Sequence, residues 1–419
     1  MKDTASRSVI TLVAAGALLI GSVIVSGCRG EEDARVRITI WHQDRIDVRL
    51  ILQRQIARFM DLYPEVRVEE LFKETEELRS GFIIAALAGQ GPEIVYGPSD
   101  QIGIFDVMEI ILPLESLLDS AWLSQFDPRG LTWYKGHLYQ VADKLGNHLT
   151  LVYNKALVPR PPTTERELIE ISSRLTVDLN GDGKTDRYGL TWNYTEPFFF
   201  IPFMTGYGGW IMDEQGRPTL DNPGTVAGLK FIKDLRDVYG VIPNEADYNI
   251  ADILFKDGNA GMIINGDWSW AGYLNAGLDI GVAPLPKIAA TGRWCETMVS
   301  PKGFSLNVNI DQEKLRWSLE LIRFLMAAEN QEESVRELFT MPTHNEVRRS
   351  AFVQENEILR NSQIQIDHGR PMPIVPELRA VWDAMRPSYQ ATLAGTITPE
   401  QAARDMQALA LRRIREMNE

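Results

Sequence analysis

The chain has 419 residues, a length that suits two or three domains. Its 57 Asp and Glu outnumber 43 Lys and Arg, and the net charge of −14 repels phosphate backbones, which sets nucleic-acid partners aside. Apolar residues at 44% and charged residues at 24% describe a globular chain, and two cysteines, Cys28 and Cys295, leave no material for a disulfide framework or a multi-thiolate metal centre.

The first element is an export signal. Lys2 and Arg7 give a positive start, Val9 to Val25 is almost wholly apolar, and Val25-Ser26-Gly27-Cys28 follows. That last string resembles a bacterial lipobox, in which Cys28 becomes the lipidated first residue; the plainer alternative is an uncleaved signal anchor. Residues 1–27 are therefore read as a lipoprotein signal peptide and 28–34 as a tether. The body is expected outside the cytoplasm, lipid-anchored to the cell membrane in the periplasm or at the cell surface. No later apolar run is long enough to span a bilayer.

Along the body, Val36, Ile38 and Ile40 alternate with polar residues as a strand does. Leu50, Ile51, Ile56, Phe59 and Met60 predict an amphipathic helix from Val48 to Tyr63, stopped by Pro64. Val66 and Val68 start the next strand, a helix runs from Thr75 to Leu87, and Pro92 to Tyr96 is again strand-like. This alternation predicts a parallel sheet covered by helices. Further on, Leu149 to Tyr153 and Ala260 to Ile264 read as strands. Asn222-Pro223 opens a helix that Gly240 closes, Leu315 to Ala328 forms another, and Thr398-Pro399-Glu400-Gln401 starts the last. With no internal repeat and no low-complexity linker, the lobes are expected to be interleaved.

One acidic loop stands apart. Asp178, Asn180, Asp182 and Asp186 place oxygen side chains at every second residue, with Gly183 allowing a tight turn and the Lys184 carbonyl as a further donor. A hard cation needs six to eight oxygens, and such spacing lets one loop wrap it. Gly189 stands where a helix–loop–helix site would place its bidentate Glu, so structural calcium is expected without that closure. The alternative is an Asx-rich surface turn.

Several of the ten tryptophans keep polar company: Trp41, Trp192, Trp210, and Asp267-Trp268-Ser269-Trp270. Aromatic faces beside forked hydrogen-bonders suit sugars, although any one tryptophan is more often core packing. Trp122, Trp133 and Trp317 are assigned to packing. The ordered set Glu196-Pro197-Phe198, Gly206-Tyr207-Gly208-Gly209, Asp247-Tyr248, Met262 to Trp270 and Gly281 to Pro286 resembles the maltose-binding protein family, the extracellular solute-binding components of carbohydrate ABC importers. Outside it, Ile38 to Trp41 with Asp44-Arg45, Gly91 to Val95, Leu151 to Lys155, and Pro376 to Arg386 extend the likeness over nearly the whole body.

The resemblance implies an α/β fold of two lobes, the periplasmic-binding-protein type II arrangement, each lobe a mainly parallel sheet flanked by helices. Residues 35–147 and 288–345 would form lobe 1, and 148–287 and 346–419 lobe 2. It further implies Trp268 and Trp382 as stacking platforms. Tyr248, Glu196 and Phe198 would line the second lobe, Asp44, Arg45 and Asp100 would be polar clamps from the first, and Arg386 would lie beside Trp382. Three positions depart from the family: Gly97 replaces a stacking tryptophan, Gln101 an arginine, and Asn147, next to His148, a glutamate. These losses leave the sugar open between maltodextrin and a disaccharide or modified glycoside. The implied role is a monomeric ABC-transporter binding lipoprotein that hands a sugar to a membrane permease. Its competitors are an exported glycan-active enzyme, with Glu196 and Asp44 or Asp267 as a carboxylate pair, and a sugar-sensing lipoprotein on the same fold.

Overall fold

The structure, a computed structural model, describes residues 34–418. The signal peptide, Cys28 and the tether up to Asp33 lie outside the described residues.

Strands β1 (Val36–His42), β2 (Val66–Phe72), β3 (Ile94–Pro98), β4 (Leu131–Tyr134) and β5 (His137–Leu145) build most of the first sheet. Strands β6 (Leu149–Asn154), β7 (Tyr188–Thr191), β8 (Ala260–Gly266) and β9 (Ile280–Ala283) build the second. A hairpin of β10 (Lys287–Ile288) and β11 (Arg293–Trp294) and the short β12 (Met298–Val299) follow. The chain then returns to the first sheet with β13 (Lys302–Leu306) and β14 (Met341–Pro342), and β15 (Arg370–Pro371) pairs with β12.

Alternation in β1 does what the sequence predicts: Ile38 and Ile40 are fully buried, and β1 runs parallel to both β2 and β3. The expectation of mainly parallel sheets needs correcting. Strand β13 enters antiparallel between β3 and β5, and β4 and β14 also pair antiparallel with β5. In the second sheet only β7–β8 is parallel among the described pairs. For β13 the reason is the interleaving. A strand that comes back from the other lobe arrives without a covering βα crossover, so nothing forces it to run parallel.

Each lobe has its own core. Phe59, Leu306 and Leu321 pack with Ile38 and Ile40 in the first. Trp192, Phe200, Met262, Tyr273 and Tyr389 pack in the second. A small cluster of Val48, Ile51, Ala271 and Leu338 bridges them. The helix caps follow the sequence: Asn222 accepts from the Thr225 N–H at 2.9 Å and Thr398 from the Gln401 N–H at 3.2 Å.

One lobe boundary moves. Residues 288–298 belong to the second lobe, because Ile288, Cys295 and Met298 are buried in its core. Around the re-entry at 346 the chain keeps touching the first lobe, through the Arg348–Asp127 ion pair and the packing of Val347, Val353 and Leu359 with Leu145 and Met341. Asn345 is still tied to the first lobe through Gln125 and Ser124, whereas the helix Glu357–His368 holds β9 through Asn361 and the following segment through Gln365. The first crossing, Gly146-Asn147-His148, is tight: Gly146 has φ 139°, and a Cβ there would sit 2.4 Å from Asp267 Oδ2.

Candidate functional site

The facing edges of the two lobes meet in a cleft. On the first-lobe side the helix Thr75–Leu87 presents Glu76 and Arg79. On the second-lobe side the helix Glu377–Leu393 presents Arg379, Trp382, Asp383 and Arg386. Glu76 pairs with Arg79 on its own helix and with Arg379 across the cleft. Arg379 reaches Asp383 at 3.1 Å, Asp383 reaches Arg386 at 3.4 Å, and Arg386 holds Glu196 through two bonds of 2.9 and 3.2 Å. A line of alternating charges therefore runs along the cleft.

Between these helices lies a cavity of about 300 Å³, lined by Glu76, Arg79 and Asp100 from the first lobe and by Val375, Arg379 and Trp382 from the second. That is the lower end of the range for small-molecule sites. Asp100 stands in a short turn after β3, and its Oδ1 is buried without any hydrogen-bond partner. Burial lifts its carboxyl to about 6, with Arg79 and Arg379 pulling the other way. Asp100 and Trp382 therefore line the same cavity, one from each lobe.

A second group continues the cleft. Trp268 donates from Nε1 to the Tyr248 hydroxyl at 3.0 Å, and the Arg45 guanidinium crosses from the first lobe to lie 4.7 Å from the Tyr248 ring centre. Arg45 also reaches Glu74 at 3.4 Å, just ahead of the helix that carries Glu76. That helix start links the Trp268 and Trp382 groups along one front. Trp268 lies close over the chain because residue 266 is glycine: a Cβ there would meet its ring carbons at 2.0–2.4 Å.

The floor is a buried charge cluster. Asp44 is 3% exposed and is held by Lys302 and, at 3.9 Å, by Lys144, so it is a structural anchor rather than a free clamp. Burial opposes its ionisation, yet the two ammonium groups hold its carboxyl down at about 2. Asp267, from the second lobe, is pushed the other way: burial raises it to about 7 despite the same lysines and the Asn147 N–H. Asn147 itself is half-buried with φ 45° at the crossing. His148 is fully buried, bonds Ser362 Oγ at 3.1 Å, and is held neutral by burial, at about 3.

The remaining expectations fall as follows. Glu196 stands in the ion pair with Arg386, and Phe198 is half-buried edge-on to Phe199 at the rim of the second core. Trp192 and Trp270 are fully buried and belong to that core, not to the cleft. Behind β3, a Cβ at Gly97 would meet the Gln101 carboxamide at 3.3 Å, so Gln101 fills the space a larger residue would take there. In the acidic loop, Asp178 accepts from the Gly181 and Gly183 N–H groups, Asp186 from Leu179 and Asn180, Asn180 from Asp182, and Asp182 from Lys184. Among the described residues no three His, Cys, Asp or Glu side chains stand together as a metal cluster. Sequence reasoning missed Glu76, Arg79, Arg379, Lys144 and Lys302. The only available signal was Arg79, a charge on the apolar face of its helix, where it is 8% exposed.

Comparison with known proteins decides what kind of cleft this is. Residues 55–361 match the family model described as bacterial extracellular solute-binding protein. The chain belongs to that family. It is a binding protein and not an enzyme, as are its relatives. The maltotriose-binding protein of Pyrococcus abyssi is 26% identical over 84% of this chain and 76% of its own. The galactooligosaccharide-binding protein of Bacillus subtilis is 26% identical over 79% and 78%. Among solved structures, the maltose/maltodextrin-binding domain MalE from Bdellovibrio bacteriovorus, bound to maltotriose, is 42% identical, covers 91% of this chain and 100% of its own, and superposes with a TM-score of 0.88. The fold is therefore the two-lobed one of the solute-binding proteins. No helix among the described residues is long and apolar enough to cross a membrane.

Proposed function

We propose that this solute-binding protein takes a short oligosaccharide of the maltotriose class into the inter-lobe cleft and delivers it to an ABC permease. The single observation that carries the reading is the inter-lobe cavity lined by both Trp382 and Asp100, whose Oδ1 has no partner. A pyranose offers both halves of that match: a C–H face for the indole and a hydroxyl to donate to the carboxylate. Glu76, Arg79 and Arg379 bring forked donors and acceptors to the same cavity. The names of the relatives at 26% and 42% identity support the ligand class.

In mechanism, the ring platforms stand on the second lobe and most of the cavity's charges on the first. A sugar that touches both binds the closed arrangement better than an open one, and closure follows from that difference in affinity. The contacts Arg45–Tyr248 and Glu76–Arg379 already join the lobes across the cleft. They would break when it opens. A thermal-shift screen of maltose, maltotriose, a galactooligosaccharide and glucose tests the reading. A rise with maltotriose well above that with glucose supports it. No rise with any oligosaccharide sinks it.

The finer parts of the reading are a monomer lipid-anchored through Cys28, and calcium in the Asp178 loop. The loop's donor set is all oxygen, which suits a hard cation, and its carboxylates, which now accept from backbone N–H groups of the loop, would have to exchange those bonds for the ion. Asp178, Asn180, Asp182, the Lys184 carbonyl and Asp186 would hold it, and its contribution would be to staple a projecting turn. Chelation should then lower the melting temperature, and calcium but not magnesium should restore it. A melting curve indifferent to both would remove calcium from the account.

A further inference from the structure

On the connector that carries the chain from the first lobe back to the second lies a larger cavity, of about 420 Å³. No residue of the Trp382 cavity lines it. Its walls come from both sides of the connection. Met341 lies on β14 at the edge of the first sheet, and Leu359, Arg360 and Gln363 lie on the helix Glu357–His368 that holds β9.

The charge of this wall is unusual for so acidic a chain. Arg348, Arg349 and Arg360 all line it, and no Asp or Glu does. Arg348 is engaged on one side, by Asp127 and by Gln363 at 3.2 Å, but its Nε is buried with no partner. Arg349 and Arg360 are exposed, and neither side chain enters an ion pair; Arg360 bonds only the Glu355 carbonyl, at 2.7 Å. Arg54, Arg58, Arg379 and Arg386 each hold a carboxylate, which Arg349 and Arg360 do not. Three guanidinium groups around one cavity repel one another, and an anion between them turns that repulsion into attraction. Their planar forks match the oxygens of phosphate or carboxylate. Ile364, 42% exposed, adds an apolar surface that a simple inorganic ion would leave uncovered.

The geometry points to a second binding site, behind the cleft, for a small organic anion: a phosphate monoester or carboxylate carried on an apolar body. The site does not depend on what the cleft binds.

Calorimetric titration of the full chain with phenyl phosphate tests it. The expected result is one-to-one binding that weakens as sodium chloride is added. In the Arg349→Gln/Arg360→Gln double variant, affinity should fall about tenfold or more, because two of the three charged forks around the anion are gone. The corresponding double Lys variant should recover only part of it, since the charge is kept and the planar fork is lost. Phenyl phosphate should also bind more tightly than inorganic phosphate, because its ring covers that apolar surface. Absence of heat, or equal affinity in parent and double Gln variant, overturns the site. Equal affinity for the two phosphates overturns the apolar part of the assignment. Both arginines are exposed and unpaired, so folding should be retained. If the double variant nevertheless melts early, each single Gln variant gives the same test with the loss shared between them.

Discussion

The two sides of the cleft are built from different chemistry. The first lobe contributes charge: Arg45, Glu76, Arg79 and Asp100 at the walls, Lys144 and Lys302 at the floor. The second lobe contributes the rings, Tyr248, Trp268 and Trp382, together with a charge line from Arg379 to Glu196. A flat ring gains contact area from a sugar without needing its partner lobe. A buried carboxylate such as Asp100 gains only when a donor is brought to it. On the proposed function, this division would assign first capture to the second lobe and closure to the first.

The largest effect that would break this comparison lies in the rings. Truncating a buried aromatic anchor costs about 2 kcal/mol or more, roughly thirtyfold in affinity. Trp382→Ala and Trp268→Ala should each weaken maltotriose binding by about that factor in a calorimetric titration. If both bind as the parent does, the rings are not the platform.

A somewhat smaller effect sharpens the comparison from the other side. Asp100→Ala removes a charged hydrogen bond, about 1.5–3 kcal/mol. If the first lobe acts in closure, this variant should still bind maltotriose weakly, but small-angle scattering should no longer show compaction at saturating sugar. Full compaction with weakened binding would mean that Asp100 reads the ligand without driving closure.

A third effect, read in stability and not in affinity, concerns the floor. Asp267 has its folded pKa raised to about 7 from an ordinary value of 3.8, chiefly by burial. Between those values the folded chain keeps a proton that the unfolded chain has lost. Its contribution to stability is therefore fully present below pH ~4 and is lost as pH rises through ~7. Asp267→Asn carries no charge to bury, so it should raise the melting temperature relative to the parent at pH 8 and leave it nearly unchanged at pH 4. An equal difference at both pH values would exclude a titrating Asp267.

What could be read in advance divides along the same physical line. Alternation in Val36 to Ile40, the cap at Asn222 and the capping box at Thr398 are local, and each produced its element. Strand direction was not local: β13 reaches β3 from some two hundred residues away, and no pattern within Lys302–Leu306 records which way it will run. The lobe boundary at 288 failed for a related reason. Ile288 and Cys295 look like any apolar residues near a crossing until the second core closes over them. In the cleft, Trp382, Asp100 and Arg386 were reachable because their segments have a resemblance to follow. Glu76 and Arg379 were not, since two charged residues on two ordinary helices become a site only when the lobes face each other. Asp44 shows the converse: its motif was recognised, but Lys302, the partner that ties it down, enters from the last strand of the first sheet's middle and is invisible from its neighbours.

The most direct test of the central claim is a crystal structure with maltotriose soaked or co-crystallised. The account predicts sugar between the lobes, with a pyranose face against Trp382, a hydroxyl within hydrogen-bond reach of Asp100 Oδ1, and the chain of sugars running toward Trp268. Sugar bound outside the cleft, or inside it with both indoles turned away, would contradict it.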